Sequence, residues 1–209
     1  MFKLQEFEKK PILGIIRGVT KASLKGTLQA ALDGGLKFVE ITMNTPNASE
    51  LLKEANREFP HQLVIGAGTV TNLSDLRVAI TAGVQFIVCP NLNKDVMQIC
   101  RQEGVPVFPG ALTPTEIASA YQSGATMVKV FPISAMGGVK YLKNIRGPFN
   151  EEKLLACGGV NPENLKDYFE AGANAIAIGS QIFNPEWMDN KEFEKIKAAA
   201  KKFINLVHE

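Results

Sequence analysis

"AYQSGATMVKV", residues 120–130, passes from a helical period through a glycine into a β-branched apolar segment. Three other stretches repeat it: "ALDGGLKFVEI" at 31–41, "AITAGVQFIVC" at 79–89 and "YFEAGANAIAI" at 168–178. A glycine at that junction supplies the left-handed C-cap that a helix-to-strand loop needs. Between these copies lie further apolar runs, so the candidate strands are 12–17, 38–43, 63–67, 86–90, 106–109, 127–132, 153–157 and 175–179. Continuous apolar runs bounded by Gly and Pro suit parallel strands covered on both faces. Eight βα units in 209 residues predict a compact (β/α)8 TIM barrel of the α/β class. An open doubly wound sheet is the alternative, and the even spacing favours closure.

Helix starts fit the same scheme. "TPTE" at 113–116 places Thr113 as N-cap, Pro114 at the first helical position and Glu116 as the reciprocal partner of a capping box. "NPEN" at 161–164 repeats the cap-then-proline order. Residues 190–207 carry Phe193, Ile196, Ala200, Phe203 and Val207 near helical spacing and would close the ring. No linker or composition shift interrupts the chain, which predicts one domain over residues 1–209.

Composition removes several function classes. Net charge is +2 with acids and bases interspersed, so no basic footprint points to nucleic acid. Three cysteines, Cys89, Cys100 and Cys157, have no metal-ligand spacing and predict reduced thiols. The N-terminal "MFKLQEFEKKP" lacks a signal-peptide core, and no run approaches 18 apolar residues. A cytoplasmic protein that neither enters nor binds a membrane is expected. The two histidines, His61 and His208, sit in a connection and at the C-terminal end, positions that do not suit catalysis. Any catalysis must then run on lysine, carboxylates, arginine and backbone.

In barrels of this kind the active site lies at the C-terminal ends of the strands. Lys129 is placed there within an apolar run. Alternation turns Met127, Lys129 and Phe131 one way and Val128 and Val130 the other. A lysine facing the helix layer would have far to reach for water, so the barrel interior is the expected side. An apolar setting favours a neutral amine, a nucleophile able to form a Schiff base with a carbonyl. The plainer reading is a core lysine paired with Glu40. That glutamate, in "FVEIT", is either a counter-ion or the group that shuttles protons beside an imine. Thr42 and Asn44 are expected on its face of the strand. Arg17, in "GIIRG", offers a fork for a carboxylate or an ion pair with Glu40. Gly158 and Gly159 in "CGGV", with Gly179 and Ser180 after the last strand, match the usual phosphate site of such barrels, though ordinary tight turns would look the same. "GAGT" at 66–69 is a weak glycine motif and no dinucleotide fingerprint.

Taken together, "GIIRG", "VEITMNTP", "IGAGTV", "FIVCPNL", "FPGALTPTE", "VKVFPISAMGG", "CGGVNPEN" and "AIAIGS" resemble the class I 2-keto-3-deoxy-6-phosphogluconate aldolase family, which includes 4-hydroxy-2-oxoglutarate aldolases. The resemblance spans roughly residues 10–185. It implies Lys129 as the imine-forming lysine and Glu40 as the general acid/base working partly through water. It implies Thr69, Pro90 and Phe131 as walls of a pyruvate pocket, and Gly159, Gly179 and Ser180 as phosphate-loop positions. It further implies a small, phosphorylated keto-acid substrate, a homotrimer, no metal and no cofactor. Two positions depart from the best-known pattern. Asn44 stands where an arginine is usual, so Arg17 is expected to take the carboxylate, and Cys157 replaces a threonine. The choice among phosphogluconate-derived, phosphogalactonate-derived and unphosphorylated keto acids stays open. Two competing readings are a phosphosugar isomerase or epimerase, which gives Lys129 no role, and a catalytically silent sugar-phosphate binder.

Overall fold

The computed structural model describes residues 2–208, with the side chain of His208 and residues 1 and 209 outside the description. Nine parallel strand segments form one sheet: β1 (Ile12–Ile16), β2 (Phe38–Thr42), β3 (Val64–Gly68), β4 (Ile87–Val88), β5 (Val107–Phe108), β6 (Gly110–Ala111), β7 (Val128–Val130), β8 (Leu154–Cys157) and β9 (Ala175–Ile178). Their order is β5-β4-β3-β2-β1-β9-β8-β7-β6. The two ends of that order, β5 and β6, are consecutive in the chain and separated only by Pro109. They are the halves of one barrel strand, expected at 106–109 and found to continue to Ala111. Proline has no N–H to give to a ladder, so the strand is interrupted there. Both sides remain bonded. Ile87 and Cys89 donate to the carbonyls of Pro106 and Phe108, while Thr126, Lys129 and Phe131 donate to those of Val107, Pro109 and Ala111. The ring of eight is thereby closed.

The helices between strands start and stop as their sequence dictates. Gly35, Gly83, Gly124 and Gly172 all take positive φ, between 80° and 99°, in the four repeated helix-to-strand junctions. The Thr113–Glu116 capping box opens the helix Pro114–Gln122. "NPEN" differs in detail: Asn161 accepts from the amides of Glu163 and Asn164, and helix proper begins only at Leu165. The last helix runs Phe193–His208 and buries Ile196, Ala200 and Phe203. It packs tightly on the helix Lys21–Asp33, where Gly34 leaves no room for a side chain beside Ala200. Among the described residues no helix is long and apolar enough to cross a membrane.

Two apolar layers result. Val39, Ile41, Val128 and Val130 face the helices, whereas Leu13, Phe38, Val64, Phe86, Phe108, Met127 and Leu155 fill the barrel. The lower barrel is sealed by a short N-terminal helix, α1 (Leu4–Lys9), a feature the sequence reading did not foresee. Phe2 and Phe7 insert there among Phe38, Phe86 and Phe108 with ring centroids 4.8–5.9 Å apart. The upper half of the interior is left for polar groups.

Candidate active site

Strand alternation decides what those groups are. Met127 belongs to the interior cluster, so Lys129, two residues on, also points inward, and it is only 6% exposed. Its Nζ stands 5.1 Å from the centre of the Phe131 ring, itself partly open to solvent at the barrel mouth. Glu40 reaches the interior from β2 by the same parity as Phe38 and is 1% exposed.

Room for Glu40 comes from β3, "VIGAG", whose two glycines present no side chain to the interior. A Cβ at Gly66 would overlap the Phe86 ring, and one at Gly68 would stand 2.5 Å from the Glu40 carboxyl carbon. Bare backbone on one strand therefore houses a ring in the lower layer and a carboxyl in the upper one. The weak glycine motif "GAGT" is a cradle for Glu40.

Neither Glu40 oxygen hydrogen-bonds to another group of the structure. The plain salt-bridge alternative for Glu40 and Lys129 is thus not what the fold builds, nor is an Arg17–Glu40 pair. Burial raises the Glu40 carboxyl pKa, with the charges of Lys129 and then Arg17 opposing it. Such a group holds a proton more readily than a surface glutamate. Cys157, on β8, completes the inner ring. Burial raises its thiol pKa too, against the pull of Lys129, and burial pushes Cys89 up to about 12. Both are neutral thiols and poor nucleophiles.

Beside Cys157 opens a cavity of about 550 Å³, lined among others by Arg17, Gly158, Gly159, Asn161, Gly179 and Ser180, with Lys129 and Glu40 outside its lining. Gly158 and Gly159 take φ of 101° and 76°, conformations that strain any other residue. Gly159 also passes so close to Ser134 that a Cβ would lie 2.6 Å from the serine's own. Its carbonyl is tied back to Asn164 Nδ2 at 3.0 Å, and Asn164 Oδ1 accepts from Asn161 N–H at 2.8 Å. The result is a fixed, glycine-walled recess after β8 and β9.

The other expected residues group around this frame. Thr69 follows β3 with φ of 56° and accepts from Arg17 Nη2 at 3.3 Å. Pro90 follows β4, and its carbonyl is so close to Gly110 that a Cβ there would collide with it. Thr69, Pro90 and Phe131 stand at the mouth but do not line the glycine-walled cavity. Asn44 falls outside the strand: β2 ends at Thr42, and Asn44 is exposed in the following turn. His61 is exposed on the turn that leads into β3. Sequence reasoning saw Asn161 only as a cap and gave no site role to Thr45, whose hydroxyl accepts from Gly18 N–H at 3.0 Å.

A buried lysine and a buried carboxyl within reach of each other's and an arginine's charge, in a barrel that also carries a glycine-walled recess, can do carbonyl chemistry on an anionic substrate. Comparison with known proteins agrees. The family model described as KDPG and KHG aldolase matches residues 4–199. The 2-dehydro-3-deoxy-6-phosphogalactonate aldolase of Escherichia coli K12 is 32% identical over 176 residues, 84% of this chain and 85% of that protein. The 2-dehydro-3-deoxy-phosphogluconate aldolase of Dickeya dadantii is 30% identical over 84% of this chain and 82% of that protein. A KDPG aldolase from Legionella pneumophila, solved with pyruvate captured as a covalent carbinolamine, superposes with a TM-score of 0.87 at 26% identity, covering 93% of this chain and 94% of that one. The chain is an aldolase, a lyase belonging to the KDPG and KHG aldolase family.

Proposed function

We propose that this aldolase cleaves a 2-keto-4-hydroxy acid through a Schiff base on Lys129, with 2-dehydro-3-deoxy-6-phosphogluconate as substrate and pyruvate and glyceraldehyde 3-phosphate as products. The observation that carries the reading is that the interior holds both a buried Lys129 and a buried Glu40 whose oxygens hydrogen-bond to no group of the protein. The carbinolamine trapped in the Legionella relative supports it.

In this mechanism the Lys129 amine adds to the C2 carbonyl, and the carbinolamine loses water to give an iminium. Glu40, able to hold a proton because burial raises its pKa, supplies the proton that lets water leave. As a carboxylate it then takes the C4 hydroxyl proton, directly or through a water. The C3–C4 electron pair flows into the iminium, and the aldehyde departs. The enamine is protonated at C3, and hydrolysis frees pyruvate and Lys129. Arg17 holds the substrate carboxylate, with Thr69, Pro90 and Phe131 enclosing the pyruvate half. Gly158, Gly159, Gly179 and Ser180 receive the phosphate through backbone N–H groups and the serine hydroxyl. The protein works as a single barrel domain in the cytoplasm, assembled as a homotrimer and needing no cofactor.

Two other substrates use the same chemistry: 4-hydroxy-2-oxoglutarate, giving glyoxylate, and 2-dehydro-3-deoxy-6-phosphogalactonate. The second gains support from the 32% identity to the Escherichia coli enzyme of that name. The test is intact-protein mass after incubation with pyruvate and sodium borohydride. An adduct on the wild type and none on Lys129→Ala is expected. No adduct on the wild type would end the Schiff-base reading. Pyruvate release from the three keto acids then ranks the substrates.

A further inference from the structure

The loops after β1 and β2 are joined by a short line of hydroxyls. Gly18 N–H donates to Thr45 Oγ1 at 3.0 Å, and Thr45 Oγ1 lies 3.0 Å from Thr42 Oγ1. Both threonines are buried, at 3% and 0% exposure, so their hydroxyls must find partners within the protein. A turn closed by Thr45 N–H on the Thr42 carbonyl, 2.9 Å long, aims the Thr45 side chain across to the neighbouring loop.

What it grips there is a weak point. Gly18 has φ of 75°, and a Cβ built on it would meet nothing within 4 Å, so no packing on that side fixes the corner. Its chain neighbour is Arg17, which is exposed and reaches Thr69 through a hydrogen bond 3.3 Å long. An arginine on a glycine corner, held by one long bond at its far end, would sweep a wide arc. Its backbone end needs an anchor if the fork is to meet a carboxylate in one geometry.

We infer that Thr45 is a positioning residue: by accepting the Gly18 amide, its buried hydroxyl fixes the Arg17 corner and so sets the guanidinium where the substrate carboxylate binds. The inference rests on the role given above to Arg17. Thr45 touches no reacting atom and acts through Arg17.

Pyruvate carries the carboxylate in question, which makes it a sufficient probe whatever the natural aldehyde. Adduct formed in a brief borohydride pulse is measured by intact mass against pyruvate concentration. The variants are Thr45→Val, which keeps the shape and loses the acceptor, and Thr45→Ser, which keeps the hydroxyl. Both are made in the wild-type and the Arg17→Ala background. Thr45→Val is expected to raise the half-saturating pyruvate concentration about tenfold with an unchanged plateau, a loss of binding without loss of the imine step. Thr45→Ser should return it to within about twofold. With Arg17→Ala already present, Thr45→Val should add no further shift, because the two act on one contact. Thr45→Cys, a weak acceptor of similar size, should fall between the two and serves if the valine variant does not fold. An unmoved titration in Thr45→Val, or an equal shift without Arg17, overturns the inference alone. A wild type that forms no adduct at any concentration removes the reading of Lys129, and this inference with it.

Discussion

Gly68→Ala is the sharpest probe of the carboxyl cradle. The new Cβ would stand 2.5 Å from the Glu40 carboxyl carbon, where ordinary contact begins at 3.4 Å. The carboxyl must therefore give way by about 0.9 Å, and it can, because it is the end of a rotatable side chain. A displacement of about 1 Å at a reacting group costs on the order of 100-fold in rate. The stability cost should sit near the lower end of about 1–3 kcal/mol for an overpacked site. Gly66→Ala is the matched control, two residues back on the same strand. There the Cβ would come within 2.6 Å of Phe86 Cδ2, with two further ring atoms closer still. That ring is locked among Phe2 and Phe108 and cannot rotate away. Gly66→Ala should thus lose about 3 kcal/mol, or roughly 6–12 °C in Tm, while the folded fraction keeps its activity. The assay is kcat/KM for pyruvate release alongside thermal denaturation. The two variants are expected to show opposite signatures. Gly68→Ala with kcat/KM within about threefold of wild type would refute the placement of Glu40 as the proton carrier.

Glu40→Gln should abolish turnover yet stabilise the fold at neutral pH. Burial raises the Glu40 pKa above its ordinary 4.5, so the folded state favours the protonated form. Below that pH both states hold the proton and the variant has no advantage. As pH rises through the folded pKa the wild type loses this stability, and a Tm gap on the order of a few degrees should open in favour of glutamine. A gap that widens toward acid would contradict the burial argument. Phe7→Ala empties a fully buried position in the lower barrel. It should cost about 3–5 kcal/mol in urea denaturation while leaving kcat at 25 °C near the wild-type value.

Much of this architecture was written in local pattern. The four helix–glycine–strand junctions needed left-handed residues and obtained them. Period-2 alternation put Lys129 inside without any knowledge of its neighbours. What stayed hidden depended on distant partners. The glycines of β3 make sense only beside Phe86 and Glu40. Thr45 looked like any turn residue until Gly18 was brought against it from the adjacent loop. The break of the fifth strand follows from Pro109, yet its continuation to Ala111 depends on β7 offering the Lys129 and Phe131 amides. Phe7 carries no periodic signal in so short a helix, Phe2 precedes that helix, and their ring partners are spread along the chain at residues 38, 86 and 108.

That N-terminal plug bears on the order in which the molecule can be made. Phe2 and Phe7 leave the ribosome ahead of every strand, but their ring partners arrive at residues 38, 86 and 108. This segment must therefore wait until residue 108 has been made before it can be fully seated. Contacts of that sequence separation slow folding and leave apolar surface uncovered meanwhile. The segment that seals the barrel floor is, in time, made before the barrel and one of the last parts of its core to form.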